Sequence, residues 1–262
     1  MEHRRRHSGR LQLGRLRFRR SGGGRSERLS EAIHLRHRLE VRGPAAGTAG
    51  TGGRLIIDDR KRVAVMASGR GSNFEALCRG DTGTGKVVLL LSDRKDARVL
   101  ERAAELGVGS AVIDPGSYRT RMGISEEERC ARTLEEEGID LVCLAGFMRM
   151  LKGPLLEAYD GRIMNIHPAL LPAFPGLEAQ RQAFEYGVKY SGCTVHYVDA
   201  GMDTGPIILQ EVVEVLDEDT VSSLSARILE REHVIYPRAV NLHCAGRLRV
   251  DGRKVRLLPQ GS

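Results

Sequence analysis

From Arg62 onward the chain alternates short, unbroken apolar runs with longer stretches in which apolar residues recur at helical spacing. The runs are Val63–Ala67 (VAVMA), Lys86–Leu91 (KVVLLL), Ser110–Ile113, Asp140–Ala145 (DLVCLA) and Gly161–Ile166. They are too short for helices and lack the polar alternation of a strand with one wet face. They therefore predict strands buried on both sides. A helical pattern begins at Phe74, a second runs from Asp96 to Leu106 and stops at Gly107, and a third runs from Glu126 to Glu137 and stops at Gly138. This alternation predicts a mostly parallel sheet with helices on both faces. After Pro168 the rhythm changes. Val195–Val198 and Ile207–Val213 read as antiparallel strands joined by a Gly-rich turn, and Thr220–Ala239 as one long helix that starts at Asp219–Thr220, with Pro237 near its end. Arg247–Leu257, centred on Asp251–Gly252, predicts a closing hairpin.

These elements define a Rossmann-like α/β domain over residues 61–262. The first 60 residues follow neither period. Arg, Gly and His dominate residues 1–53, and Gly43–Gly53 (GPAAGTAGTGG) is linker-like. A disordered N-terminal extension is expected there; a targeting peptide or translated upstream sequence are the competing readings. Residues 1–60 hold 15 Arg, no Lys and 6 acidic residues, a net of +9, whereas the remainder holds 26 basic and 28 acidic residues, a net of −2. The overall charge of +7 thus belongs to the extension. A polynucleotide groove would place its charge on the folded body, so no nucleic-acid partner is expected of the domain. The five cysteines are scattered and no pair has metal-ligand spacing, so no metal is expected. Cys143 and Cys193 read as small core hydrophobes, and the absence of a disulfide framework suits a reducing cytoplasm. No apolar run reaches the roughly 18 residues that a membrane span requires, so no membrane partner is expected.

Four stretches carry candidate chemistry. Ser68-Gly69-Arg70-Gly71-Ser72-Asn73 lies between a strand and a helix, where glycines and free helix N–H groups can hold one phosphomonoester. An ordinary strand–helix turn capped by Asn73 is the plainer reading. Asn165 and His167, two positions apart at a strand's carboxyl end, face the same side. The amide can hold an oxyanion and the imidazole can move a proton near neutral pH. Asp203, 36 residues beyond His167, can keep that imidazole charged, although a turn aspartate bonding its own backbone fits Met-Asp-Thr-Gly-Pro equally and Asp199 competes for the role. Gly146–Leu151 follows the fourth strand, and its Phe, two Met and Leu form either an apolar wall for a flat heterocycle or plain core. His196 reads as a packing or surface residue and Glu232 as part of a solvated helix face.

Together these pieces closely resemble the phosphoribosylglycinamide formyltransferase family. The matching text is ASGRGSNFEAL, LAGFMRML, RIMNIHPALLPAFPG, GCTVHYVDAGMDTGPIILQ, EREHVIYP and the closing LLPQG, spanning about residues 62–260. The resemblance implies a cytoplasmic transferase of purine (IMP) biosynthesis, a monomer or homodimer. Its substrates would be glycinamide ribonucleotide and 10-formyltetrahydrofolate, the latter as co-substrate, with no metal. It places Gly71, Ser72 and Asn73 on the substrate's phosphate and ribose, and Glu232 on the ribose. It places Met148, Arg149, Met150 and Leu151 on the folate pteridine. An arginine near the third helix contacts folate in the family; Arg119 and Arg121 both fit, and Arg121 is taken. Asn165, His167 and Asp203 match the catalytic trio, with Asn165 also touching the folate. Nothing is carried onto residues 1–60.

The implied chemistry is direct attack of the glycinamide amine on the formyl carbon. Asn165, with protonated His167, would stabilise the oxyanion, and Asp203 would order a proton relay to folate N10. The rival readings are a formyl-folate hydrolase, a formyltransferase acting on a charged tRNA or sugar amine, and, at a greater distance, a nucleic-acid binder using the Arg-rich arm.

Overall fold

Nine strands form one sheet in the order β3-β2-β1-β4-β5-β6-β7-β9-β8 in the computed structural model, which describes residues 39, 41–43 and 58–259. The five sequence-predicted apolar runs are β1 (Lys61–Met66), β2 (Gly85–Ser92), β3 (Gly109–Val112), β4 (Leu141–Leu144) and β5 (Ile163–His167), all mutually parallel. β6 (Tyr190–Tyr197) runs antiparallel to β5, and β7 (Ile207–Glu214) antiparallel to β6. The hairpin of β8 (Leu248–Asp251) and β9 (Lys254–Leu257) closes the far edge. Its loop is Gly252–Arg253 rather than the expected Asp251–Gly252, because Asp251 pairs with Lys254; Gly252 supplies the positive φ of 59°.

Six helices among the described residues cover the sheet: α1 (Ser72–Arg79), α2 (Arg98–Glu105), α3 (Ile124–Glu136), α4 (Pro154–Ala158), α5 (Ala179–Tyr186) and α6 (Val221–Cys244). Two buried clusters result. One gathers Val63, Val65, Phe74, Cys143, Cys193 and Tyr236, and the other Ala64, Met66, Leu91, Cys130, Val142 and Tyr159. Alternate residues of β1 thus enter opposite clusters, as a strand buried on both faces requires. Cys143 and Cys193 are both fully buried, as expected, and burial pushes the Cys193 thiol up to about 12.

α6 departs from expectation at its end. Pro237 sits inside the helix, which continues to Cys244. An internal proline costs about 3 kcal/mol. Here it packs beside Gly80, where a side chain would meet its ring carbons at 2.8–2.9 Å. The buried Ala239, Val240 and Leu242 continue the apolar face beyond it, which offsets the lost hydrogen bond. The helix starts where the sequence places it, with Thr220 and Ser223 in a reciprocal capping box.

The expected disordered extension, residues 1–60, lies mostly outside the described residues. Its described part does not stand apart from the sheet. Arg42 N–H donates to Ser110 O at 2.7 Å and Ser110 N–H donates back at 3.0 Å, an antiparallel pairing on the otherwise open edge of β3. Leu39 is buried in the second cluster and Val41 packs beside it. Burying one Leu stabilises by about 1.5–3 kcal/mol, and pairing an edge removes a template for association. A chain beginning at residue 38 should therefore melt several degrees above one beginning at residue 44. Equal melting temperatures by calorimetry would show that this segment adds nothing.

Candidate active site

β5 and the loop that follows β6 deliver the central group. Asn165 and His167 leave β5 on one face. Asp203 reaches both: its Oδ2 lies 3.4 Å from His167 Nδ1, and Asn165 Nδ2 donates to its Oδ1 at 3.4 Å. The aspartate is held by its backbone at φ +53°, a left-handed conformation uncommon outside glycine. It is not a turn residue bonding its own loop. Its Oδ2 instead accepts the Gly176 N–H at 2.8 Å, from the segment after β5. Asp199 is the turn aspartate, accepting from Gly201 N at 3.0 Å and Thr204 Oγ1 at 2.6 Å.

His196 is the residue that sequence reasoning missed. It is 2% exposed, not a surface residue, and lies directly opposite Asn165 in the β5–β6 pairing. Residues so paired share a face of the sheet. Its Nδ1–H donates to Tyr197 O at 2.8 Å, and its Nε2 lies 3.3 Å from Asn165 Nδ2. Nε2 also lies 3.6 Å from Asp203 Oδ1. The only signal in the sequence was alternation within Val195–Val198. The register that brings it to Asn165 is a long-range fact.

Asp203 favours the charged form of His167, as expected, but it is not the largest influence on that ring. Burial of the imidazole outweighs the pull of Asp203 and of the Phe174 carbonyl, so its pKa lies below the ordinary histidine value. Its Nε2–H donates to Phe174 O at 2.8 Å, and its Nδ1 faces Asp203. Burial alone would raise the Asp203 carboxyl. The contact with His196, the Gly176 N–H and the two imidazoles outweigh it and hold the group below the usual carboxylate range. The site thus sets the Asp203 carboxylate against the Nδ1 edge of a buried imidazole.

The glycine loop lies at the carboxyl end of β1. Gly71, not Asn73, caps α1, with φ +79°, and a Cβ there would meet Val99 Cγ2 at 2.6 Å. Only glycine fits. Ser72 opens the helix, and Asn73 Nδ2 donates to Glu232 Oε2 at 2.7 Å across to α6. Glu232 is 5% exposed, so the solvated-face reading is wrong; burial raises its carboxyl to about 7. Asn73 Oδ1 is buried with no partner among the described residues, an acceptor suited to a ligand hydroxyl.

Gly146–Leu151 divides between both sequence readings. Phe147 and Leu151 are core, whereas Met148 is 55% exposed on the rim of a cleft of about 510 Å³ that Ser68, Asp93, Arg119 and Arg149 also line. Arg149 Nε donates to Asp93 Oδ2 at 2.9 Å, and its Nη1 binds the carbonyls of Tyr118 and Arg119. The Arg121 segment lies alongside: Met150 N–H donates to Thr120 O at 3.0 Å and Met122 N–H to Met150 O at 3.2 Å. Arg121 itself stacks on Tyr118, 3.9 Å from the ring centre, while Arg119 lines the cleft. Glu127 anchors the far end of the stretch, accepting the N–H groups of Lys152, Gly153 and Leu155.

A family model described as Formyl transferase matches residues 61–240, so the sheet belongs to a formyl transferase domain. The phosphoribosylglycinamide formyltransferase of Bacillus subtilis (strain 168) is 44% identical over 183 residues, covering 69% of this chain and 93% of that protein. The crystal structure of glycinamide ribonucleotide transformylase 1 from Symbiobacterium toebii superposes with a TM-score of 0.73 at 50% identity, covering 80% of this chain and all of that one. The chain belongs to the phosphoribosylglycinamide formyltransferase family. It also matches the trifunctional purine biosynthetic protein adenosine-3 of Drosophila pseudoobscura pseudoobscura, 45% identical over 201 residues, but spans only 15% of that protein's length.

Proposed function

We propose that residues 61–262 transfer the formyl group of 10-formyltetrahydrofolate to the amine of 5′-phosphoribosylglycinamide, a step of IMP synthesis. The observation that carries this reading is Asn165, His167 and Asp203 meeting within 3.4 Å at the carboxyl end of β5. The phosphate would sit on the N–H groups at Gly71–Asn73. The ribose hydroxyls would satisfy Asn73 Oδ1 and Glu232, whose carboxyl near 7 can accept or donate. Met148–Leu151, with an arginine of the 119–121 stretch, would hold the folate, whose formyl carbon then faces Asn165.

The amine attacks that carbon and a C–N bond forms. The formyl oxygen becomes an oxyanion and takes an N–H of Asn165, displacing one of its long bonds to protein. The attacking nitrogen becomes positively charged and loses a proton to His167 Nδ1, directly or through one water. Asp203, 3.4 Å away, stabilises the resulting imidazolium. Because Nε2–H is engaged with Phe174 O, the oxyanion falls to Asn165 rather than to the imidazole. Collapse breaks the bond to folate N10, and the same proton passes to N10. The balance closes on formylglycinamide ribonucleotide and tetrahydrofolate.

A cytoplasmic location belongs to the same reading. No helix among the described residues is long and apolar enough to cross a membrane, and all five cysteines are free. The test is spectroscopic release of tetrahydrofolate with and without glycinamide ribonucleotide. Release should require the ribonucleotide; equal release without it would make the protein a hydrolase.

A further inference from the structure

Glu232 and Tyr236 lie one helical turn apart on α6 and face the same side. Glu232 reaches the glycine-loop helix. Tyr236 reaches the sheet: it is fully buried, and its single hydroxyl proton is shared between Leu144 O at 2.9 Å and Met164 O at 3.1 Å. These carbonyls belong to the last residue of β4 and to the residue before Asn165 on β5. Beyond Leu144 the chain turns into Gly146–Leu151, which lines the cleft. Beyond Met164 it presents Asn165. One hydroxyl therefore bridges the neighbouring strands β4 and β5 just before both halves of the site emerge. Burial holds that hydroxyl far above the ordinary tyrosine pKa, so it remains a donor at every working pH.

We infer that Tyr236 is a positioning residue for formyl transfer: by tying the Leu144–Ala145 and Met164–Asn165 peptides together, it sets the separation between the segment that holds the folate and the amide that receives the oxyanion. The inference rests on the roles proposed above for Asn165 and Met148–Leu151. Tyr236 touches no substrate and acts through the backbone alone. A displacement of a fraction of an ångström at either end misaligns a near-attack geometry, to which rates are steeply sensitive.

Tyr236→Phe removes the hydroxyl and retains the ring packing. It should lower kcat about tenfold and raise KM for formyl-folate several-fold. KM for glycinamide ribonucleotide, held at Gly71–Asn73 and Glu232, should stay unchanged. Tyr197→Phe removes another buried hydroxyl, the one bonded to His243 Nδ1 at 2.8 Å, and should cost similar thermal stability without lowering kcat. In an Asn165→Ala background the kcat effect of Tyr236→Phe should shrink below twofold, because the group it positions is gone. An undiminished loss in that background, or a loss of stability with kcat unchanged, would overturn the positioning role alone. Full activity of Asn165→Ala by itself would overturn the reading of the site, and the inference with it.

Discussion

Asp203→Asn is expected to lower kcat by about 10²–10⁴-fold, the range for losing a group that supports proton transfer, with little change in either KM. The substitution is isosteric, and the new amide oxygen can still accept the Gly176 N–H, so the loop need not move. What disappears is the negative charge facing His167 Nδ1. The pH dependence follows in sign. Burial lowers the pKa of His167, and the Asp203 carboxylate acts against it. Without the carboxylate the pKa falls further, so the neutral, proton-accepting ring persists to more acid pH. The acid limb of the residual kcat/KM profile should therefore move to lower pH. An unshifted limb with near wild-type turnover in steady-state kinetics would remove Asp203 from the relay.

Asn165→Ala is expected to cost about 2.7–4 kcal/mol of barrier, or 10²–10³ in kcat, as for other single oxyanion donors. Its thermal stability should stay near that of the parent. The amide's contacts to His196 and Asp203 are long, at 3.3 and 3.4 Å, and the side chain is only partly buried, so the fold gives up little. Water can reach the space and satisfy both partners. Wild-type turnover in a variant with an unchanged melting temperature would assign the oxyanion elsewhere.

Both predictions concern residues legible in the sequence only as separate fragments. Asn165 and His167 could be paired on paper because strand periodicity is local. Asp203 looked like a turn residue because its own loop does look like one, and only Gly176, from a different segment, identifies its true partner. Glu232 read locally as solvated for the same reason, and only the family resemblance placed it at the ribose. Its neighbours Arg231 and His233 are polar, and nothing local shows that Asn73 waits on another helix. His196 was passed over because cross-strand register is invisible in one strand. Pro237 misled by a sound local rule, since the compensating burial against Gly80 lies far away in the chain.

The amino-acid order by itself determined the strand–helix alternation, the parallel core, the change of rhythm after Pro168 and the glycine loop. These depend on apolar periodicity and backbone freedom, which act over a few residues. The tertiary structure alone decided how Asp203 meets the imidazole, that burial lowers that imidazole's pKa, that Glu232 is buried with its carboxyl near 7, and that one tyrosine hydroxyl bridges β4 and β5. Each of those depends on desolvation and on distances between groups remote in the chain, and both are set only when the sheet closes under α6.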